Sequence, residues 1–127
     1  MVRKATCCCG EAAIEVFGDP TLNAVCHCDN CRRRTGSAFG WSTYFRDEQV
    51  RSKAGEISSY HLQLGDQTRW FCQACGTTLY WKSDFWPGQT GVAGGCFVDP
   101  LPEPSLTVSN DKRRPWIALP DHWGTSL

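Results

Sequence analysis

Short runs of alternating apolar and polar residues cover much of the chain, and Gly, Pro, Asn and Asp residues separate them. Such runs predict β-strands, in which successive side chains point to opposite faces of a sheet. The clearest run, residues 39–45, places Phe39, Trp41 and Phe45 on one face. The other predicted strands cover residues 14–17, 57–62, 68–71, 77–81, 91–98 and 106–109.

Helical periodicity is weak throughout the sequence, and the best helix candidate is the short segment 30–35. The segment that begins at Pro100 contains several prolines, which predict an extended chain with one edge strand near residues 106–109. The pattern as a whole predicts an all-β fold made of small antiparallel sheets. The length of 127 residues predicts a single domain over residues 1–127.

The charge balance restricts the classes of partner. Lys and Arg number 13, Asp and Glu also number 13, and the formal net charge is +0. Because nucleic acids and anionic membranes attract basic surfaces, the sequence predicts neither as a partner. The first residues lack the apolar stretch of a signal peptide, and no apolar run approaches the roughly 18 residues of a membrane span. We therefore expect a cytoplasmic protein.

The cysteines change this picture most. An odd number of cysteines without an export signal argues against a disulfide framework. Thiols grouped at short spacings in a reducing compartment are instead typical ligands of a soft metal ion such as Zn²⁺. The chain has nine of them: Cys7, Cys8, Cys9, Cys26, Cys28, Cys31, Cys72, Cys75 and Cys96.

The sharpest motif is C-x-x-C-G at Cys72, Cys75 and Gly76, between two predicted strands. A tight turn lets both thiolates reach one tetrahedral zinc ion at about 2.3 Å, and the glycine lets the backbone bend beneath it. A closed zinc site needs two more ligands, and the C-x-C pair of Cys7 and Cys9 is the natural source. These four residues predict a structural zinc site that ties the N-terminus to the middle of the chain.

A third motif, C-x-C-x-x-C, supplies the thiols of Cys26, Cys28 and Cys31. Three protein ligands with one vacant position are typical of a catalytic zinc ion. A second closed site, completed by His27 or Cys96, is an open alternative, as is a thiol cluster without metal. We expect His27 otherwise to pack or to support its neighbours, and Cys8 and Cys96 to be small buried thiols.

The motifs taken together resemble the glutathione-dependent formaldehyde-activating enzyme (GFA) family, also called the centromere-protein-V domain family. The similarity covers nearly the whole chain, although Cys8 and the segment 121–123 depart from the family pattern. The matching stretches are Cys7 to Gly10, Cys26 to Arg32, Gly36 and Ser37, Phe71 to Gly76, Gly95 to Pro100, and Pro115 to Ile117.

This resemblance implies an Mss4-like fold of small stacked antiparallel sheets with zinc knuckles, and two zinc ions per chain. It assigns Cys7, Cys9, Cys72 and Cys75 to the structural site. It assigns Cys26, Cys28 and Cys31 to the second, open or labile zinc, where the thiol of glutathione would bind. The implied activity is that of a carbon–sulfur lyase acting on a glutathione–aldehyde adduct, as in S-hydroxymethylglutathione synthesis.

Three further residues are candidates for substrate binding. Arg32 follows the open site directly and would hold a carboxylate of glutathione through a bidentate contact, unless it belongs to a solvated basic face. Ser37 lies in a Thr-Gly-Ser turn whose N–H groups could bind an anion. Trp86, in a predicted loop, is the best candidate to line a pocket beside the metal.

A second function stays open at this stage. The same zinc frame would suit a non-catalytic Mss4-like module that binds a protein partner through its aromatic residues. Binding of a small thiol such as glutathione distinguishes the two hypotheses, and the sequence leaves the oligomeric state undetermined.

Overall fold

A computed structural model describes residues 1–126, and it forms two β-sheets with one short helix between strands. The smaller sheet is antiparallel and has the order β1-β2-β5 within the described residues. Its strands are β1 (Val2–Thr6), β2 (Ala13–Phe17) and β5 (Val50–Ala54). The loop between β1 and β2 carries the first cysteine motif at its tip.

The larger sheet has the order β11-β10-β3-β4-β9-β8-β7-β6 across residues 1–126. The helix α1 (Asp29–Thr35) connects β3 to β4 and lies against β4. The strands are β3 (Leu22–Cys26), β4 (Gly40–Arg46), β6 (Ile57–Leu62), β7 (Gln67–Cys72), β8 (Thr78–Ser83), β9 (Gln89–Ala93), β10 (Leu106–Val108) and β11 (Gly124–Thr125).

The two sheets enclose one apolar core. Phe45, Ile14 and Leu79 in this core are fully inaccessible to solvent. The core also includes Cys7 and Cys72, so the first and third cysteine motifs begin at the point where the sheets meet. Burial of this kind fixes the positions of the two hairpin tips relative to each other.

The all-β prediction is confirmed, and the predicted helix differs from α1 by one residue at its start. Two details of the C-terminal segment were wrong. The strand β10 is not an edge strand, because β3 and β11 flank it on both sides. Both of those pairings are parallel, whereas the other pairings in the two sheets are antiparallel. The chain crosses over before β10, and a local hydrophobic pattern does not encode such a crossover.

The indole ring of Trp81 lies directly against a glycine of the neighbouring strand. Trp81 on β8 is 1% exposed and pairs across the strands with Gly91 on β9. A Cβ atom at position 91 would overlap the Trp81 ring, so the close packing of this ring requires glycine.

We therefore expect Gly91→Ala to destabilise the protein by about 1 to 3 kcal/mol, since overpacking forces the ring or the strand to move. Chemical denaturation followed by tryptophan fluorescence measures the change. The matched control is Gly95→Ala, where an added Cβ meets no atom within 4 Å. Equal stability of the two variants would contradict the prediction.

Candidate metal centres

The tips of two hairpins bring four cysteines together. Cys7 and Cys9 lie in the β1–β2 loop, and Cys72 and Cys75 lie in the β7–β8 loop. The four Sγ atoms all lie within 4.8 Å of one another. The Sγ atoms of Cys7 and Cys9 are 3.6 Å apart, and those of Cys9 and Cys72 are 3.7 Å apart. A tetrahedral ion with Zn–S bonds of about 2.3 Å separates its sulfurs by about 3.8 Å, so the spacing fits zinc.

Backbone hydrogen bonds shape the second of these tips as a knuckle. Gly76 donates to the carbonyl of Cys72 at 2.8 Å, and Cys72 donates to the carbonyl of Thr77 at 3.0 Å. Gly76 has a φ angle of 80°, a conformation that glycine adopts without strain. The amide of Cys8 donates to Oγ1 of Thr77 at 3.1 Å, which joins the two hairpin tips directly.

Two thiols of this cluster accept hydrogen bonds that favour the thiolate form, whereas the neighbouring sulfurs raise the pKa of Cys9 to about 12. The hydroxyl and amide of Thr77 donate hydrogen bonds to Cys75 and lower the pKa of its thiol to about 5. The Sγ atom of Cys7 accepts a hydrogen bond from the amide of Ala12 at 3.2 Å. Donors directed at sulfur stabilise the thiolate, which is the form that binds metal.

The second cluster is built around the start of α1. Cys26 ends β3, Cys28 caps the N-terminus of α1, and Cys31 lies in the first turn of the helix. The Sγ atom of Cys28 accepts a hydrogen bond from the amide of Cys31 at 3.3 Å. Gly36 ends the helix in the left-handed conformation. A strand end and a helix start thus turn three thiols toward one point.

The three Sγ atoms of Cys26, Cys28 and Cys31 lie within 4.8 Å of one another, and each residue is half-buried. The Sγ atoms of Cys26 and Cys28 are 3.3 Å apart. The thiol of Cys31 donates to the sulfur of Cys26, which lowers the pKa of Cys26 to about 5 and raises that of Cys31. A metal ion that binds all three sulfurs as thiolates would displace the proton that this pair shares.

His27 points away from the sulfur cluster. Its side chain is fully buried, and Nε2 lies 3.0 Å from the hydroxyl of Thr107 on β10. The ring also packs against Phe39, with the centroids 5.7 Å apart. Side chains of an extended segment alternate, so the thiols of Cys26 and Cys28 lie on one side and the imidazole on the other. This placement is consistent with the expected packing role of His27.

Aromatic and basic side chains surround the three-cysteine cluster. The guanidinium of Arg34 lies over the Trp81 ring, 4.1 Å from its centroid. The indole of Trp81 donates to the hydroxyl of Tyr44 at 3.0 Å, and Tyr44 contacts Trp86 at a centroid distance of 4.6 Å. Trp86 is 39% exposed and is joined to this sheet through Tyr44, and its place beside the metal stays a prediction.

Arg32 and Ser37 occupy different surroundings. Arg32 forms a salt bridge with Asp29 one turn earlier in α1, so its guanidinium already has a carboxylate partner. Ser37 is exposed in the turn after the helix, where its amide donates to the hydroxyl of Thr35. Their roles in substrate binding stay predictions. Of the three consecutive arginines, the sequence favoured Arg32 over Arg34, although helical spacing places Arg34 on the same face as Cys31.

An open cavity of about 430 Å³ lies between α1 and the β7–β8 loop. Residues from both sides line it, among them Arg34, Phe39, Trp41, Thr77 and Cys96. Cys96 is half-buried and lies outside both clusters, as does Cys8. Cys8 is exposed, which corrects the expectation of a small buried thiol at that position.

The fold and the clusters together define a class of protein: a small β protein with two groups of cysteines that could each hold a metal ion. All nine cysteines are free thiols, and the donor sets are entirely sulfur, which suits zinc. Within residues 1–126, no helix is long and apolar enough to cross a membrane.

Residues 2–110 match the family described as "Glutathione-dependent formaldehyde-activating enzyme", and the chain belongs to this family. A crystal structure of a Rhodobacter sphaeroides protein, a structural genomics target, is similar in fold with a TM-score of 0.63. The two chains are 25% identical, and the alignment covers 78% of this chain and 91% of the other. The comparison with curated proteins gives no significant match.

Proposed function

We propose that the protein is a zinc-dependent carbon–sulfur lyase that makes and breaks an adduct of glutathione with a small aldehyde. The single observation that carries the proposal is the cluster of Cys26, Cys28 and Cys31. It brings three half-buried thiols together within residues 1–126 and leaves one side of a tetrahedral ion for a substrate. Membership of the GFA family supports glutathione as the thiol and formaldehyde as the aldehyde.

The two clusters would hold two zinc ions with different roles, one structural and one catalytic. The four cysteines at the hairpin tips would hold a closed structural ion, since all four positions are filled by protein. Zinc in the three-cysteine cluster would lower the pKa of an incoming thiol and hold it as the thiolate. Free thiols and glutathione both belong to a reducing compartment, which supports the cytoplasm as the location.

The chemistry forms one bond and is balanced without another reactant. The thiolate sulfur of glutathione attacks the carbonyl carbon of the aldehyde, and the carbonyl π electrons move to oxygen. The proton that the thiol released then ends on that oxygen, which gives an S-hydroxymethyl adduct from formaldehyde. In the reverse direction the carbon–sulfur bond breaks and the aldehyde leaves. Trp86, which packs on Tyr44 with the ring centroids 4.6 Å apart, would line the approach of the substrate along this face of the sheet.

The test is an exchange measurement on the zinc-loaded protein. Two-dimensional exchange NMR measures the rate at which glutathione and its formaldehyde adduct interconvert, and metal analysis gives the zinc content. We expect about two zinc ions per chain and an exchange rate well above that of the reagents alone. A rate equal to the uncatalysed rate, with both ions bound, would contradict the proposal.

A second candidate is a non-catalytic zinc module that binds a protein partner. Phe85 is 78% exposed in the loop beside Trp86, and an apolar pair of this kind is typical of an interface. Titration with glutathione separates the candidates, because the lyase binds the thiol and the module does not. Loss of partner binding in Phe85→Ser, together with no response to glutathione, would favour the module.

A further inference from the structure

Charge repulsion would oppose the binding of a substrate thiolate at the proposed lyase site. Zn²⁺ with three cysteine thiolates carries one net negative charge, and a substrate thiolate would add a second. The cluster is half-buried, so solvent screens this repulsion less than it would at the surface. A nearby positive charge that is not already neutralised would make the fourth thiolate easier to bind.

Arg34 is such a charge. Its Nη2 atom is buried and has no hydrogen-bond partner among residues 1–126. The direction of the guanidinium follows from Gly40, where a Cβ would lie 2.6 Å from Nη2 of Arg34 and 3.2 Å from Cβ of Cys31. The absence of a side chain at Gly40 thus leaves room for Arg34 to reach the cluster beside Cys31.

The packing of Arg34 holds it in this position. The face of its guanidinium lies on the indole of Trp81, which is itself fixed against Gly91. The Nη2 atom of Arg34 lies beside the Cys31 side chain, so a thiolate formed there on zinc binding and the guanidinium would stabilise each other. An unpartnered buried cation is costly, and a negatively charged neighbour offsets that cost.

Arg69 on β7 is a second cation near the same cluster. Its guanidinium donates to the side-chain oxygens of Gln67 and Asn30, which are neutral groups. Asn30 lies between Cys28 and Cys31 at the start of α1, so this contact places Arg69 beside the cluster. Within the described residues, neither Arg34 nor Arg69 forms a salt bridge, whereas Arg32 is paired with Asp29.

We propose that Arg34, supported by Arg69, balances the charge of the three-cysteine zinc site and thereby allows a fourth, substrate thiolate to bind. The inference rests on the proposed function, because it concerns the thiol that the lyase would use. Arg34 is a charge-balancing residue here and not an anchor for the carboxylates of glutathione, since its buried Nη2 faces the sulfur cluster.

Three small thiols separate these roles. Cysteamine carries an ammonium group, 2-mercaptoethanol is neutral, and 3-mercaptopropionate carries a carboxylate. Protein loaded with Co²⁺ reports each of them, because a new cobalt–thiolate bond changes the visible absorption. The variants are Arg34→Gln, Arg34→Lys and Arg69→Gln, and the matched control is Arg33→Gln on the exposed side of α1.

We expect Arg34→Gln to weaken the binding of all three thiols by a similar factor, roughly tenfold to a hundredfold. Arg34→Lys should restore most of the affinity, Arg69→Gln should give a smaller uniform loss, and Arg33→Gln should leave the affinities unchanged. A loss confined to 3-mercaptopropionate would overturn the proposal in favour of a carboxylate anchor. Unchanged affinities in Arg34→Gln would overturn it as well.

Two features keep the test decisive. If Arg34→Gln does not fold, the comparison of Arg69→Gln with Arg33→Gln tests the proposal, because neither variant removes the guanidinium that lies on the Trp81 ring. Equal thiol affinities of these two variants would then overturn the proposal. Thiol binding is measured without aldehyde, so failure of the lyase proposal appears as binding without adduct exchange. Failure of the charge-balancing proposal appears as thiol binding that does not depend on Arg34 or Arg69.

Discussion

Replacing Cys7 with serine is expected to abolish cooperative folding. Cys7 is buried in the core and belongs to the cluster that joins the β1–β2 and β7–β8 hairpin tips. Structural zinc contributes about 10 to 16 kcal/mol to the folding of small zinc domains. A protein of this size has a total free energy of unfolding of about 5 to 15 kcal/mol, so the loss of one ligand removes a large share of it.

The substitution is chosen to isolate the metal. The Sγ atom of Cys7 accepts a hydrogen bond from the amide of Ala12, and a serine hydroxyl can accept the same bond. The matched control is Cys8→Ser, since Cys8 is the next residue, is exposed and lies outside the cluster. Circular dichroism during chemical denaturation and zinc analysis measure both variants.

We expect Cys8→Ser to keep its zinc content and its unfolding midpoint. Cys7→Ser should lose the ion of the hairpin tips and show a broad transition or none. A cooperative transition of Cys7→Ser at the midpoint of the control would show that this cluster does not hold the fold together. Removal of zinc from the natural protein by a strong chelator should reproduce the effect of Cys7→Ser.

The cysteine clusters were predictable because the spacing of cysteines within each motif determines how its thiols converge. The C-x-x-C-G motif lies between two β-type runs, and this order alone predicts a hairpin tip with two converging thiols. In the structure, β7 ends at Cys72 and β8 begins at Thr78, as the motif requires. The pairing with Cys7 and Cys9 followed from the need for four ligands.

The sequence did not reveal β1, β3, β5 and β11, and two of these strands, β1 and β5, have few apolar residues. In β5, Val50 is half-buried and the four following residues are exposed, so no alternation marks the strand. In β1, the buried positions are Arg3 and Ala5, and neither is a typical core residue of a strand. Pairing with β2 defines both strands, and that pairing depends on tertiary structure.

The surroundings of the three-cysteine cluster required the fold. The sheet brings Tyr44 and Trp81 to the face that carries Cys26, although they lie far from it in the sequence. Helical spacing favours Arg34 as a neighbour of Cys31, because positions three apart share a face and Arg34 follows Cys31 by three. Arg32 stands in the same relation to Asp29, with which it forms its salt bridge.

Cys28→Ser is expected to remove the proposed lyase activity while leaving the fold intact. Cys28 is the N-cap of α1, and its sulfur accepts a hydrogen bond from the amide of Cys31. Serine is among the most favourable N-cap residues, so the substitution preserves the start of the helix. A serine hydroxyl remains protonated at neutral pH and is a poor ligand for zinc, so the cluster keeps only two thiolates.

The expected result is a zinc content that falls from about two per chain to about one, with adduct exchange reduced to the uncatalysed rate. The unfolding midpoint should stay close to that of the natural protein, because the hairpin-tip cluster is untouched. The control is Cys96→Ser, which replaces another half-buried thiol that belongs to neither cluster. It should keep both ions and full exchange.

The hypotheses of a catalytic and of a purely structural second cluster predict different results for Cys28→Ser. Loss of one ion together with loss of exchange places the chemistry at Cys26, Cys28 and Cys31. Loss of one ion with unchanged exchange would contradict a catalytic role for the cluster. A closed structural zinc site has four protein ligands, whereas a catalytic site has three and keeps one position for the substrate. Three thiols meet in this cluster, so we expect the first outcome.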